Sequence, residues 1–168
     1  MPELPDVELF KTYFDATSLH KEIAEVEECD ASLLQDISRR QLAGRLGGRS
    51  FAETRRHGKY LFARFADNGY LVLHFGMTGF LRSFKNTEQA PGHTRLLLRF
   101  SDDYYLAFDC QRKLGVITVT AGVEEFVRKK GLGPDALELC RDRTAFAGRI
   151  KGRRGAIKGL LMNQKVLA

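Results

Sequence analysis

The run Tyr60-Leu61-Phe62-Ala63-Arg64-Phe65, the turn Asp67-Asn68-Gly69 and the run Tyr70-Leu71-Val72-Leu73-His74-Phe75 form the stretch that decides the fold. Each run has the length of a strand and is rich in Leu, Val, Phe and Tyr. Asp-Asn-Gly between them is a reversal signal, so the pair reads as a hairpin. Working outward, similar short runs recur at 44–51, 80–84, 95–100, 104–108 and 116–120, with turn signals at Pro91-Gly92 and Ser101-Asp102-Asp103. Strands this closely spaced leave no room for the crossovers of a dozen or more residues that parallel pairing needs. The class is therefore mainly β with flanking helices, built on an N-terminal β-sandwich or barrel.

Helical periodicity sits at the two ends. Between residues 5 and 20, Val7, Phe10, Phe14 and, loosely, Leu19 share one helical face. Residues 123–130 suit a short helix, Gly131-Leu132-Gly133-Pro134 reads as a break, and 144–151 and 156–166 are helical in composition. This predicts two domains, a β-sandwich over 1–134 and the start of an α-helical domain over 135–168. The last six residues fall inside the final predicted helix without a cap or a Gly or Pro stop, as though the chain were cut short.

At 168 residues with 43% hydrophobic content, the chain can bury a core for one domain plus part of another. No apolar run approaches the roughly 18 residues of a membrane span, and the acidic, proline-containing start is unlike a secretory signal. A soluble intracellular protein is expected, cytoplasmic or nucleoid-associated, with no membrane partner. Cys29, Cys110 and Cys140 are odd in number and widely spaced, which excludes a disulfide framework and a CxxC metal pair; buried or inert thiols are expected. The net charge of +6 is concentrated in residues 139–168, where eight Lys and Arg face the single acid Asp142 among small residues such as Gly148, Gly152 and Gly155. A solvated helix face is the commoner origin of such a run, but basic residues beside glycines also suit close approach to a phosphate backbone.

The N-terminus reads Met1-Pro2-Glu3-Leu4-Pro5-Asp6. As an isolated hexapeptide it is an ordinary helix start, with Pro5 near the first helical position and Asp6 and Glu8 toward the positive end of the dipole. Removal of Met1 gives it a second meaning, because Pro2 then offers a secondary amine beside the carboxyl of Glu3. An α-amino group with a pKa of about 7.7 to 8 is neutral in roughly a tenth of molecules at pH 7, against well under about a thousandth for an ordinary Lys. Attack on a sugar aldehyde carbon by a secondary amine gives an iminium that is necessarily cationic and drains electrons from neighbouring C–O bonds.

Four later segments follow in order: Arg55-Arg56-His57-Gly58-Lys59-Tyr60-Leu61, Leu73-His74-Phe75-Gly76-Met77-Thr78-Gly79, Leu132-Gly133-Pro134 and Ala156-Ile157-Lys158-Gly159-Leu160-Leu161. With the N-terminal hexapeptide they resemble the formamidopyrimidine-DNA glycosylase and endonuclease VIII family of DNA repair enzymes, over the whole of residues 1–168. The resemblance implies a bifunctional DNA glycosylase and abasic-site lyase of base excision repair. It would act on oxidised or ring-opened purines or on oxidised pyrimidines in double-stranded DNA, as a monomer. Pro2 would be the nucleophile, Glu3 the acid that protonates the sugar ring oxygen or shuttles protons, and Lys59 a lysine reaching both the active site and a phosphate. Asp6 stands where the family usually has Glu. Met77 would fill the gap left by a flipped nucleotide. In Cys110-Gln111-Arg112-Lys113-Leu114-Gly115, Arg112 keeps the family's arginine facing the orphaned base, and Leu114 replaces its aromatic wedge. His93 aligns with a histidine near the DNA backbone, and Arg153 and Lys158, with Arg154 beside them, match a phosphate-contacting basic run at the entry to the family's helix-two-turn-helix element. The resemblance thus makes 135–168 the truncated start of a helix-two-turn-helix DNA-binding domain. The family continues with a glycine-rich turn and often a four-cysteine zinc finger. Neither motif occurs among these residues, so no cofactor or metal is expected in this chain, and zinc is implied only for such a finger.

Without the family motifs, Lys59 would be a solvated residue at a strand start, Arg55 and Arg56 surface charge, His57 a turn residue and His74 a hydrogen-bonding group within an apolar strand. A reading from another class also stands: a non-catalytic paralogue, or a fragment, that binds damaged or abasic DNA. A retained Met1 would block the amine, so N-terminal sequencing separates the two.

Overall fold

The computed structural model describes residues 1–65, 69–153 and 155–168. The turn signal at Asp67-Asn68 and the basic residue Arg154 lie outside the described residues. The chain divides into two compact units, Met1–Gly122 and Val123–Ala168.

The first unit opens with α1 (Leu4–Ser18). Its strands are β1 (Ile23–Cys29), β2 (Phe51–His57), β3 (Tyr60–Phe65), β4 (Gly69–His74), β5 (Gly79–Phe84), β6 (Thr94–Phe100), β7 (Tyr105–Cys110) and β8 (Val116–Thr120). They form two four-stranded sheets with orders β2-β3-β4-β8 and β1-β6-β7-β5. All named pairings are antiparallel. One core joins the sheets: Leu61, Leu71 and Ile117 from the first and Leu81, Leu98 and Phe108 from the second, with Val7 and Phe14 of α1. Phe75 lies between Phe10, at 4.5 Å between ring centroids, and Phe108, at 5.6 Å in an edge arrangement. The hairpin β3–β4 reads as two near-continuous apolar runs because both of its faces are buried. Leu61, Ala63 and Leu73 belong to the shared core, while the facing pair Phe62 and Val72 is buried on the opposite side.

Two sequence expectations change here. Residues 44–51 do not form a strand; most of the segment is the end of α2 (Arg39–Leu46) and the turn after it. Ser38 and Gln41 cap this helix reciprocally, Leu42 and Leu46 bury its inner face, and Gly48 at φ +72° ends it. Strands β1 and β2, which lacked a strong signal, lie at sheet edges. Edge strands bury little and carry charge, as Glu25 and Glu27 do in β1 and Glu53, Arg55 and Arg56 do in β2, so no apolar run marks them.

The second unit holds α3 (Val123–Lys130), α4 (Ala136–Leu139), α5 (Arg143–Ile150) and α6 (Ile157–Leu161). The break at Gly131–Pro134, where the sequence suggested a domain boundary, lies inside this unit and is pinned to the last residues of the chain. Gly133 N–H donates to the Gln164 carbonyl at 2.8 Å, and Ala168 N–H donates to that of Pro134 at 3.0 Å. A Cβ on Gly133 would lie 2.5 Å from the Val166 oxygen, so the close approach needs glycine. The last helix is shorter than expected. Asn163 starts a turn, its side chain accepting from Lys165 N–H at 3.0 Å, and Val166, Leu167 and Ala168 are buried beyond it. No helix among the described residues is long and apolar enough to cross a membrane.

Candidate active site

Glu3 is the N-cap of α1, with extended backbone at φ −103° and ψ −178°, and Pro5 falls in the first turn, where its missing N–H costs nothing. Asp6 Oδ2 accepts a hydrogen bond from the Glu3 N–H at 2.8 Å. Although one methylene shorter than glutamate, Asp6 thus reaches back and orients the peptide group that follows Pro2. Pro2 is half-buried, and Met1 in front of it is 61% exposed.

The reversal between β2 and β3 turns on Gly58, buried and at φ +55°, and delivers Lys59 to the start of α1. Lys59 Nζ lies 2.6 Å from Glu3 Oε2; the lysine side chain is 20% exposed and the glutamate 49%. Three of the four residues placed at the chemistry from sequence, Glu3, Asp6 and Lys59, are therefore in one hydrogen-bonded cluster beside Pro2. Arg56, read from sequence as surface charge, is instead almost wholly buried. Its Nε donates to Glu8 Oε2 at 2.5 Å and its Nη1 to the Gly58 carbonyl at 3.0 Å.

Tyr60 follows Lys59 and faces His74 across the ladder, with ring centroids 4.8 Å apart. Burial pushes the Tyr60 hydroxyl above its usual pKa, so it stays protonated at neutral pH and offers no base. His74 Nδ1 accepts from Gly76 N–H at 3.2 Å, which commits that nitrogen to the turn carrying Met77.

Met77, 39% exposed, and Leu114, 50% exposed, project from two loops in backbone contact. Gly76 has φ +59°, and a Cβ there would lie 2.5 Å from the carbonyl carbon and oxygen of Leu114. Arg112 N–H donates to Thr78 Oγ1 at 3.1 Å. His93 joins the same loop through its backbone, its N–H donating to Asp109 Oδ2 at 2.7 Å and its carbonyl accepting from Cys110 N–H at 3.0 Å. Met77, Arg112 and Leu114 thus share one pair of loops, with His93 at its margin. Arg153 and Lys158 belong to the second unit and are exposed; Arg153 Nε donates to the Arg149 carbonyl at 3.0 Å.

Among the described residues, no group of three His, Cys, Asp or Glu side chains is placed to hold a metal ion. Cys110 is buried, Cys29 half-buried and Cys140 exposed. Nothing in this donor set fits a four-cysteine zinc site.

Residues 1–117 match the family described as formamidopyrimidine-DNA glycosylase N-terminal domain. The chain belongs to the formamidopyrimidine-DNA glycosylase family. Among the glycosylases of that name, the one from Pelobacter propionicus is 33% identical over 175 residues, taking in 100% of this chain and 62% of the relative. The glycosylase from Solibacter usitatus is 34% identical over 165 residues, covering 98% of this chain and 59% of the relative. A crystal structure of the Lactococcus lactis protein with DNA containing an abasic site superposes with a TM-score of 0.88 at 26% identity, covering 99% of this chain and 62% of that one. The chain thus spans about three fifths of the length of these formamidopyrimidine-DNA glycosylases.

Arg56 and Glu8 are the site residues that sequence reasoning missed. Two arginines in "RRHGKY" look equivalent, and only the alternation along β2, which turns Arg56 toward α1 while Arg55 stays exposed, tells them apart.

Proposed function

We propose that this chain supplies the catalytic part of a DNA glycosylase of base excision repair that also acts as an abasic-site lyase on damaged double-stranded DNA. The observation that carries the reading is the contact of Lys59 Nζ with Glu3 Oε2 at 2.6 Å, beside a proline that becomes the N-terminus once Met1 is removed.

The Pro2 nitrogen lone pair forms a bond to C1′ of the damaged nucleotide, and the C1′–N bond to the base breaks, its electron pair leaving with the base. The Pro2 N–H proton is shed, balancing the proton the base takes up and restoring the nitrogen lone pair. Opening of the sugar ring transfers the C1′–O4′ pair to O4′. Glu3 delivers the proton there, and the C1′–N linkage becomes the iminium. That cation acidifies the C2′ hydrogens; loss of one expels the 3′ phosphate and nicks the strand. Lys59 keeps Glu3 oriented and presents a cation to a neighbouring phosphate. Met77, Arg112 and Leu114 occupy the space left by the everted nucleotide, and Arg112 faces the unpaired base. His93, Arg153 and Lys158 contact the backbone.

Borohydride reduction is the test. The full-length protein, with Met1 removed, is expected to form a covalent adduct with abasic duplex that maps to Pro2. Binding without any adduct would favour the non-catalytic reading.

A further inference from the structure

The loop over residues 110–115 is held from a second side, away from Gly76 and Thr78, by a residue that the reaction does not use. Asp30 follows β1 and caps a single 3-10 turn at Ala31–Leu33. Its Oδ1 accepts from Ser32 N–H at 2.9 Å and from Ser32 Oγ at 2.7 Å. Its Oδ2 lies 3.0 Å from Lys113 Nζ and 3.4 Å from Arg95 Nη1. Arg95 Nε in turn donates to the Cys110 carbonyl at 3.1 Å, and Asp30 N–H donates to the Arg95 carbonyl at 2.7 Å. The carboxylate therefore ties the end of β1 to the start of β6 and to both ends of the turn at 110–113. Asp30 and Arg95 are only 20% and 17% exposed, so that contact is sheltered from screening, whereas Lys113 is 49% exposed and its ion pair is partly open to solvent.

Lys113 has φ +52°, in the left-handed region that non-glycine residues adopt only when their surroundings enforce it. Its backbone sets the directions in which the two exposed neighbours, Arg112 and Leu114, leave the chain. Lys113 N–H also donates to the Cys110 carbonyl at 3.2 Å, so this backbone bond and the ion pair to Asp30 together hold the left-handed residue between Arg112 and Leu114. The ion pair is the restraint that anchors the Lys113 side chain, and with it the residue joining Arg112 to Leu114, to the end of β1.

Resting on the proposed function, we propose that Asp30 is a positioning residue for reading the base opposite the lesion: it fixes the turn from which Arg112 and Leu114 project. The Ser32 N–H and hydroxyl and the Lys113 ammonium hold the Asp30 carboxyl well below the usual carboxylate range, so the anchor remains charged throughout neutral pH.

Asp30→Asn in the full-length protein, with Met1 removed, tests this while leaving the positive charge of Lys113 in place. On duplexes carrying an oxidised purine opposite cytosine or adenine, the ratio of single-turnover excision rates is expected to fall roughly threefold to tenfold. Borohydride trapping on abasic duplex should stay within about twofold of wild type, because the Pro2 chemistry is untouched. Hydrogen exchange of amides 111–115 in the free protein should quicken. Lys113→Met, which leaves Asp30 paired with Arg95, is the second variant should Asp30→Asn fold poorly, and it is expected to compress the ratio likewise. Unchanged exchange, or an unchanged ratio in a variant that exchanges faster, overturns the proposal. Failure of the wild type to form any trapped adduct counts instead against the proposed function, and the exchange measurement, made without DNA, still decides whether Asp30 holds the turn.

Discussion

Arg56 bridges Glu8 on α1 and the Gly58 carbonyl in the β2–β3 turn, at 2.5 Å and 3.0 Å, and so clamps the helix that begins at the proline to the turn that carries Lys59. The planar guanidinium can serve both acceptors at once, which a lysine ammonium on a flexible stem does poorly. Arg56→Lys is therefore expected to lower stability by under about 1 kcal/mol, and Arg56→Met by about 1–2 kcal/mol, since the buried guanidinium's hydrogen bonds are lost while Glu8, 45% exposed, stays solvated. Trapping of abasic DNA should fall in step as the contact between Glu3 and Lys59 loosens. Urea denaturation paired with borohydride trapping checks this; normal trapping in Arg56→Met would show that the clamp is structural only.

Glu3→Gln separates chemistry from folding. The cap hydrogen bond uses the Glu3 backbone N–H and Asp6, so α1 should still form. The ion pair with Lys59 is half-exposed on the glutamate side, and its loss should cost under about 1 kcal/mol. Base excision should nevertheless fall by about 10²-fold or more, the usual contribution of a positioned acid. Single-turnover excision measured beside a urea melt reads both quantities.

These clusters differ in how far the sequence foretold them. The hairpin β3–β4 was legible because burial on both faces demands unbroken apolar runs, and α3 was found because its apolar stripe is narrow and regular. The edges β1 and β2 were not, since a charged, bulged strand looks like loop to any reading based on apolar periodicity. At the site, motif order brought Pro2, Glu3 and Lys59 together on paper. Spacing could not reveal that Asp30, some eighty residues from Lys113, would meet it in space, because a long-range ion pair leaves no periodic trace.

Gly76→Ala should be far worse than an ordinary glycine substitution. The residue sits at φ +59°, and the added Cβ would meet Leu114 backbone atoms at 2.5 Å, which no rotamer change relieves. A loss of at least about 2 kcal/mol is expected from strain and displacement together. The two loops should separate, so discrimination of the opposite base should drop along with the melting temperature. Wild-type melting in the alanine variant would contradict the close backbone packing.

Acid should destabilise the first unit through two carboxylates. A hydrogen bond from Lys21, whose Nζ lies 2.8 Å from the carboxylate, holds Asp102 below its ordinary pKa, and the contacts at Asp30 do the same there. Both groups are easier to protonate in the unfolded chain than in the folded one. Their contribution is thus complete above the unfolded value of about 3.9 and is lost as pH falls below it toward the lower folded values. Urea melts between pH 6 and pH 2.5 should show stability falling more steeply in the wild type than in Asp102→Asn or Asp30→Asn. Parallel slopes would rule out these carboxylates as the source.

The basic second unit makes a prediction in ionic strength rather than pH. Arg153 and Lys158 are exposed, and Lys158 sits in the first turn of the five-residue α6. If each neutralises one phosphate, it releases condensed counterions, and replacing it with Ala should make the plot of log affinity against log salt shallower by about 0.9. Because such contacts carry no base information, affinity for damaged and undamaged duplex should weaken in the same proportion. Arg153 also donates to the Arg149 carbonyl, so Arg153→Lys separates the roles: it keeps the charge and the salt slope while losing that Nε hydrogen bond. Titrations of abasic duplex from low to moderate salt decide the matter. A full wild-type slope in Lys158→Ala would place this residue off the DNA.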